Sequence, residues 1–253
     1  KEKSLAQIAD PITGINFIGN IDLLQTEISN YDIRFEKYFN NVDIVSLSGF
    51  YKDFTNPIEI SAYGPATPND YTPRNVDNAI VYGFEFEVRK KLDSLAKVFT
   101  NFSVGGNFTY SFSELTMNQV EYDSRVQNER VGETTNRERK LQGQSPYIIN
   151  AFINYKNVEK GINVNLNYNV QGKTLAVIGI GRIPDLYDLP FHSLGFKASK
   201  KFGLDNRHGI SFKITNLLDS KRERAYDSYQ AEEVLFYSYR ENRTFSFSYT
   251  FNL

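Results

Sequence analysis

The 253 residues contain no cysteine, no tryptophan, one methionine and only two histidines, His192 and His208. Without thiols there is no disulfide framework and no thiolate metal site. Two histidines leave little from which to build an imidazole-based one. A cysteine-free chain suits passage through an oxidising compartment. No run of about 18 apolar residues occurs, which excludes a helical membrane span. Neither charge sign is in excess: the formal net charge is -1, so there is no electrostatic reason to expect nucleic acid as a partner. The opening Lys1-Glu2-Lys3-Ser4 lacks an apolar signal-peptide core. The expectation is a signal already removed, or a chain that begins inside a longer protein. Nucleophile elbow, HExxH and phosphate loop are all missing, so no bond chemistry, cofactor or metal is expected.

Tyrosine and phenylalanine are abundant, at 17 and 20 residues. Their placement has a strict period of two. Phe245, Phe247, Tyr249, Phe251 and Leu253 alternate with Thr244, Ser246, Ser248, Thr250 and Asn252. Ile162, Val164, Leu166, Tyr168 and Val170 alternate with Asn163, Asn165, Asn167, Asn169 and Gln171. Residues 102–113 repeat the pattern. Such alternation predicts strands with one apolar and one polar face. Weaker copies begin at Tyr31, Val45 (where Phe50 interrupts the polar row), Tyr82, Ile149, Leu194 and Ile210. About nine strands result, many near the length of roughly 9–11 residues that crosses a bilayer at a tilt. Mean hydropathy is low, -0.45, as expected where only every second strand residue meets lipid. Residues 11–18, with Ile12, Phe17 and Ile18, are the candidate for a tenth strand.

Connections of two lengths alternate along the chain. Short links fall at Asn40-Asn41, 93–98, 157–160 and 203–207, and long ones at 55–78, 114–143, 173–189 and 218–242. Short periplasmic turns and long extracellular loops alternate in this way in outer-membrane barrels. Loops beyond about 12–15 residues are uncommon in compact soluble domains. A soluble β-sandwich also has alternating strands, but two features speak against it. The polar faces carry Asn, Ser, Thr and charges almost without break, as a wet lumen would. Aromatic residues also crowd the strand ends: Tyr51, Tyr82, Tyr110, Phe112 and Tyr168 on the long-loop side, Phe39, Tyr155, Tyr249 and Phe251 on the other. Tyrosine favours membrane interfaces, where its ring meets lipid and its hydroxyl water.

Several segments resemble motifs of the TonB-dependent outer-membrane receptors. Gly19-Asn20-Ile21-Asp22-Leu23 with Glu27-Ile28-Ser29-Asn30-Tyr31 is similar to a segment leading into a strand past the middle of their barrel, with Ile21 and Thr26 in place of two prolines. Ser48–Ile58 and Gly83-Phe84-Glu85-Phe86-Glu87 resemble the next two strands. Gly143-Gln144-Ser145-Pro146-Tyr147 with Asn150, Pro184-Asp185-Leu186-Tyr187-Asp188-Leu189-Pro190, and Thr215-Asn216-Leu217-Leu218-Asp219 are similar to late-barrel motifs. Leu253 stands where the family usually ends on an aromatic residue. The order of these motifs spans almost the whole chain, and they most resemble Bacteroidetes members of the siderophore-receptor type.

The resemblance implies an all-β, antiparallel transmembrane β-barrel of 22 strands with a plug in its lumen. Residues 1–253 would be about nine C-terminal strands, with the plug and first strands absent. An odd strand count does not fit even-numbered bacterial barrels, and an open sheet leaves two edges of unpaired backbone groups in lipid. The implied function is active import of a scarce ligand such as a ferric siderophore. Its implied partners are a TonB-type energy-coupling protein acting through the missing N-terminal region, outer-membrane lipid and lipopolysaccharide, and an accessory lipoprotein or other outer-membrane subunit. The alternatives are a non-transporting barrel serving as structural or accessory subunit of a larger outer-membrane complex, and a small self-contained pore or adhesin.

Ligand recognition is expected in the long loops. Residues 114–143 mix Arg125, Arg130, Arg137, Arg139 and Lys140 with carboxylates, and 218–242 hold Tyr226, Tyr229, Phe236, Tyr237 and Tyr239. Guanidinium groups beside aromatic rings suit an anionic, aromatic ligand. The candidates are Arg125, Arg130, Arg137, Tyr226, Tyr229 and Tyr237. Glu85 and Glu87 read as lumen charges, and His192 and His208 as surface residues.

Overall fold

The computed structural model describes residues 6–11, 14–39, 43–64 and 66–252. Lys1-Glu2-Lys3-Ser4, Ile12, the Asn40-Asn41 link and Leu253 lie outside the described residues. In chain order the strands begin with β1 (Gln7–Ala9), β2 (Asn16–Ile18), β3 (Glu27–Tyr38), β4 (Ile44–Thr55), β5 (Ile58–Gly64) and β6 (Thr67–Asn75). Next are β7 (Asn78–Lys91), β8 (Phe102–Thr116), β9 (Glu138–Arg139), β10 (Tyr147–Asn157), β11 (Ile162–Gln171) and β12 (Thr174–Val177). The last are β13 (Asp185–Asp188), β14 (Ser193–Phe202), β15 (His208–Thr215), β16 (Lys221–Asp227), β17 (Val234–Arg240) and β18 (Thr244–Phe251).

The period-two segments form one antiparallel meander, in the order β3-β4-β7-β8-β10-β11-β14-β15-β18. All nine expected strands are present. Several run longer than their alternation, because ladder pairing carries a strand past the residues that alternate: β3 pairs with β4 from Glu27 opposite Thr55 to Tyr38 opposite Ile44. Registers place like with like. Val104, Ile153, Leu166, Phe196, Ile214 and Phe245 form one apolar row across six strands. Ser103, Asn154, Asn165, Lys197, Lys213 and Ser246 form a polar row on the other face. Phe35 and Phe247 stay 67% and 73% exposed. An apolar surface of this extent is stable against lipid, not water.

The aromatic ends also align. Tyr31, Tyr51, Tyr82 and Phe112 share one register row toward the long loops, with Tyr82 stacked on Phe112 at 5.3 Å. Phe102 packs on Tyr155 at 4.9 Å near the short turns. His192 and His208 each hydrogen-bond a tyrosine hydroxyl, those of Tyr168 at 2.6 Å and Tyr249 at 2.7 Å. The two phenylalanines that interrupt polar rows each lie over a partner glycine. A Cβ on Gly83 would fall 2.8 Å from the Phe50 ring, and one on Gly105 2.6 Å from the Phe152 ring. The sheet is not closed: β3 and β18 are its edges, and both are exposed along their length.

Order within the long connections was not visible in the alternation. The connection after β4 is the hairpin β5–β6, which joins β1 and β2 in a four-stranded sheet. The tenth-strand candidate is corrected here. Asn16–Ile18 is a strand, but it pairs with β1 and runs parallel to β6, with Asn16 opposite Asp70. It builds the loop layer, not the wall. A second loop sheet has the order β12-β13-β16-β17. The two sheets meet at Ser61 and Ile178, where Ala62 N–H donates to Ile178 O at 2.9 Å and Ile178 N–H to Ile60 O at 3.1 Å. Chain segments this long must find partners for their backbone groups, and pairing with one another supplies them.

Both hydrophobic clusters lie at this end. One gathers Val76, Ala79, Val81, Leu115, Met117 and Leu141, with Phe50, Phe54 and Tyr122 against it. The other gathers Tyr71, Val177 and Leu186, with Tyr226 and Phe236. Among the described residues the wall itself is one sheet thick.

Candidate functional site

The loop after β8 contains α1 (Gln119–Gln127). Its sequence has little apolar periodicity, and its ends are set by polar groups. Asn118 caps it, its side-chain oxygen accepting from Glu121 N–H at 2.9 Å; asparagine is among the best N-caps. Glu121 in the first turn and Arg125 in the last favour the helix dipole. They also pair at i,i+4, at 3.0 Å.

From α1 a chain of charges crosses three loops. Arg139 binds Glu59 with both terminal nitrogens, at 2.6 and 3.1 Å, and Glu121 at 2.6 and 2.9 Å. Arg125 binds Asp185 at 2.9 and 3.1 Å. Bidentate guanidinium–carboxylate pairs are the strong and geometrically specific kind. Two guanidiniums thus serve three carboxylates. The excess negative charge is met by main-chain donors: Gln142 N–H to Glu59 at 2.7 Å and Gly179 N–H to Asp185 at 2.9 Å. The Gln142 side chain ties Ile60 to Ala176, accepting from Ile60 N–H at 2.6 Å and donating to Ile60 O and Ala176 O at 2.7 Å each.

Burial pushes the Glu121 carboxyl up, but the hydrogen bonds and charge of Arg139, with the charge of Arg125, outweigh it and hold the group below its ordinary value. A depressed folded value contributes stability that is fully present above the unfolded pKa, about 4.3, and is lost as pH falls through the folded one. Amide exchange of residues 117–146 is therefore expected to be flat from neutral pH down to about 5, once corrected for intrinsic rates, and to accelerate below about 4. A transition centred near neutrality would refute this account.

A cavity of about 700 Å³ opens beside the network, between the loops after β8, β11 and β15. Three of the six sequence candidates line it: Arg125, Arg130 and Tyr229. Arg125 is already engaged by Glu121 and Asp185. Arg130 donates to Ser228 Oγ at 3.2 Å and, among the described residues, forms no ion pair. Tyr229 donates to Gly132 O at 2.7 Å, tying two loops together at the rim. The other three lie elsewhere. Arg137 lies over the Tyr122 ring at 5.5 Å and bonds Gln119 at 3.1 Å. Tyr226 packs edge-on against Phe236 at 5.6 Å in the loop-layer core. Tyr237 lies against Arg224, 5.8 Å from its ring centre.

Two further cavity residues were missed. Arg182 is exposed on the cavity wall, and among the described residues no carboxylate pairs with it. Its signal was a lone arginine after Gly179-Ile180-Gly181. Tyr187, in the motif at 184–190, also lines the cavity. Burial and the nearby Asp185 and Asp227 push its hydroxyl up to about 12, so it stays protonated and able to donate. Lys173 lies over its ring at 4.9 Å and pairs with Asp227 at 2.8 Å. The cavity thus brings together two guanidiniums that form no ion pair among the described residues, two phenolic rings, and the carboxylates of Glu129, Glu133, Glu138, Asp185 and Asp227, of which Glu133 accepts from Arg130 N–H at 3.0 Å.

Residues 4–217 match the family model described as TonB dependent receptor-like, beta-barrel. No curated protein matches the chain by sequence. Among solved structures, a ferric enterobactin receptor mutant from Pseudomonas aeruginosa in complex with enterobactin is similar over 94% of this chain and 33% of its own, at 16% identity and TM-score 0.56. The siderophore receptor PirA from Acinetobacter baumannii has the same identity, coverage and TM-score. The unliganded ferric citrate transporter FecA is similar over 88% of this chain and 30% of its own, at 15% identity and TM-score 0.58. The chain thus spans about a third of the length of the structures it matches.

Proposed function

The chain belongs to the TonB-dependent receptor β-barrel family, an outer-membrane family, and from that membership we propose that it forms wall and ligand-facing loops of an importer for an anionic ferric chelate of the siderophore class. The observation that carries the choice of ligand is the loop cavity, where Arg130 and Arg182, which form no ion pair among the described residues, line the wall with Tyr187 and Tyr229. Guanidiniums over a polarisable anionic ligand, with aromatic faces to pack its rings, give charge-assisted hydrogen bonds and cation–π contact together. Loops tied into a common layer hold these groups in place before the ligand arrives, which limits the entropy lost on binding. In this reading a TonB-type protein supplies energy through a segment outside these residues. Lipid and lipopolysaccharide surround the apolar face, and an accessory lipoprotein would meet the loop layer.

The test uses the full-length receptor in outer membranes and the iron(III) tris-catecholate trianion with radiolabelled iron. The double variant Arg130→Gln/Arg182→Gln is expected to lose on the order of a hundredfold or more in affinity, since it removes two charge-assisted hydrogen bonds of about 1.5–3 kcal/mol each. Arg137→Gln, which changes the net charge outside the cavity, should bind as the parent does. Absence of any ferric-chelate binding by the parent receptor would overturn the import reading and favour a structural subunit.

A further inference from the structure

The polar face of the wall divides into two electrostatic halves. On β3, β4 and β7 acids and bases are interspersed and paired: Arg34 lies 2.9 Å from Glu87, and Arg89 lies 2.8 Å from the same carboxylate. From β10 to β18 the polar face carries Lys156, Lys197, Lys201 and Lys213 and no aspartate or glutamate. Among the described residues, no ion pair reaches any of these four ammonium groups. Lys197 and Lys213 lie directly opposite each other in the β14–β15 register. Like charges at opposed positions have Cβ atoms about 5 Å apart and destabilise the pair. Their flanking neighbours in the row, Asn165 and Ser246, are neutral. A wall that only met water would mix its charge signs. An opposed lysine pair kept at a local penalty marks a functional surface.

We propose that this half of the lumen wall is a descending series of cationic stations for the anionic ligand once it leaves the loop cavity; this rests on the import reading above. Lys197 and Lys213 stand in mid-wall, and Lys156 and Lys201 near the short-turn end. Lys197 and Lys201 share a face of one strand about 13 Å apart, at roughly 3.3 Å per residue. That exceeds the screening length of about 8 Å, so the stations hold the ligand one after another rather than together. The polar face on their long-loop side is neutral and largely self-satisfied. Asn150 donates to Asn107 at 2.7 Å and accepts from Asn169 at 2.6 Å, so these amides offer an anion little that would retain it. The arrangement favours entry at each station without a deep trap at any of them.

The test again uses the full-length receptor and the iron(III) tris-catecholate trianion, with surface binding, initial uptake rate and thermal midpoint read separately. For Lys197→Gln/Lys213→Gln, surface affinity is expected to be unchanged and the thermal midpoint unchanged or slightly raised as the like-charge penalty is relieved, while uptake falls on the order of tenfold, the lower end of what charge focusing contributes. Lys197→Arg/Lys213→Arg should restore the rate. Unchanged uptake with intact binding would overturn the track and leave the import reading standing. A lowered thermal midpoint with equal loss of uptake in the Gln and Arg variants would also overturn it, placing the lysines against carboxylates of another part of the receptor. Failure of the parent to bind the chelate would remove the import reading itself.

Discussion

Arg139→Ala is expected to release the loop after β4 from the loop after β8, lowering the stability of the loop layer by roughly 3–5 kcal/mol, as when one partner of a buried ion pair is removed. Arg139 is the only described residue whose side chain reaches Glu59 and Glu121 together. Its side chain is 9% exposed, and that of Glu59 only 2%. Without the guanidinium, Glu59 keeps one main-chain donor, Gln142 N–H, and no countercharge. It must then either take up a proton or draw water into the layer. Glu121 suffers less, because Arg125 remains at 3.0 Å. The double variant Arg139→Met/Glu59→Leu should recover much of the loss, since replacing both partners removes the buried charge as well as its partner. Amide exchange across residues 58–64, 119–127 and 174–188 is the measurement, because the wall can stay folded while the layer opens locally. Unchanged exchange in Arg139→Ala would show that the hydrophobic clusters hold the loops without the charges.

Leu166→Arg is expected to block assembly of the wall. Leu166 lies midway along β11 with Ile153 and Phe196 beside it in register, so its side chain points to the apolar face at the depth where lipid is most hostile to charge. A lipid-facing arginine near the midplane destabilises a barrel by roughly 2–4 kcal/mol. Asn165→Arg puts the same charge one residue away on the polar face, beside Asn154 and Lys197, where water can solvate it. The pair of variants therefore reads facing directly. In outer-membrane fractions Leu166→Arg should be depleted and Asn165→Arg present. The reverse result would exchange lumen and lipid faces and take the cationic-track proposal down with it.

Residue by residue, the wall was legible and the site largely was not. Tyr168, Leu166 and Val164 declare their face by alternation alone, because the two-residue repeat of a strand is a local property and lipid demands it on every second residue. Glu59, Glu121, Arg139 and Asp185 declare nothing. They lie in charged segments without periodicity, up to 126 positions apart (from 59 to 185), and only folding brings them within hydrogen-bonding distance. Of the six loop candidates, composition could not separate Arg130, which forms no ion pair among the described residues, from Arg125, which Glu121 and Asp185 neutralise. Nor could it separate Tyr229 at the cavity rim from Tyr226 in the core. Arg182 was overlooked because a lone arginine in sequence does not show whether a carboxylate pairs with it.

The membrane wall is legible in local alternation: nine strands, their two faces, their aromatic ends, and the alternation of short and long connections. All of these follow from the short-range geometry of an extended chain set between lipid and water. Folding adds that the long connections pair into sheets, that Asn16–Ile18 belongs to that layer, and which charges there form ion pairs and which, among the described residues, do not. Those outcomes depend on contacts between residues remote in the chain, and no local repeat encodes them.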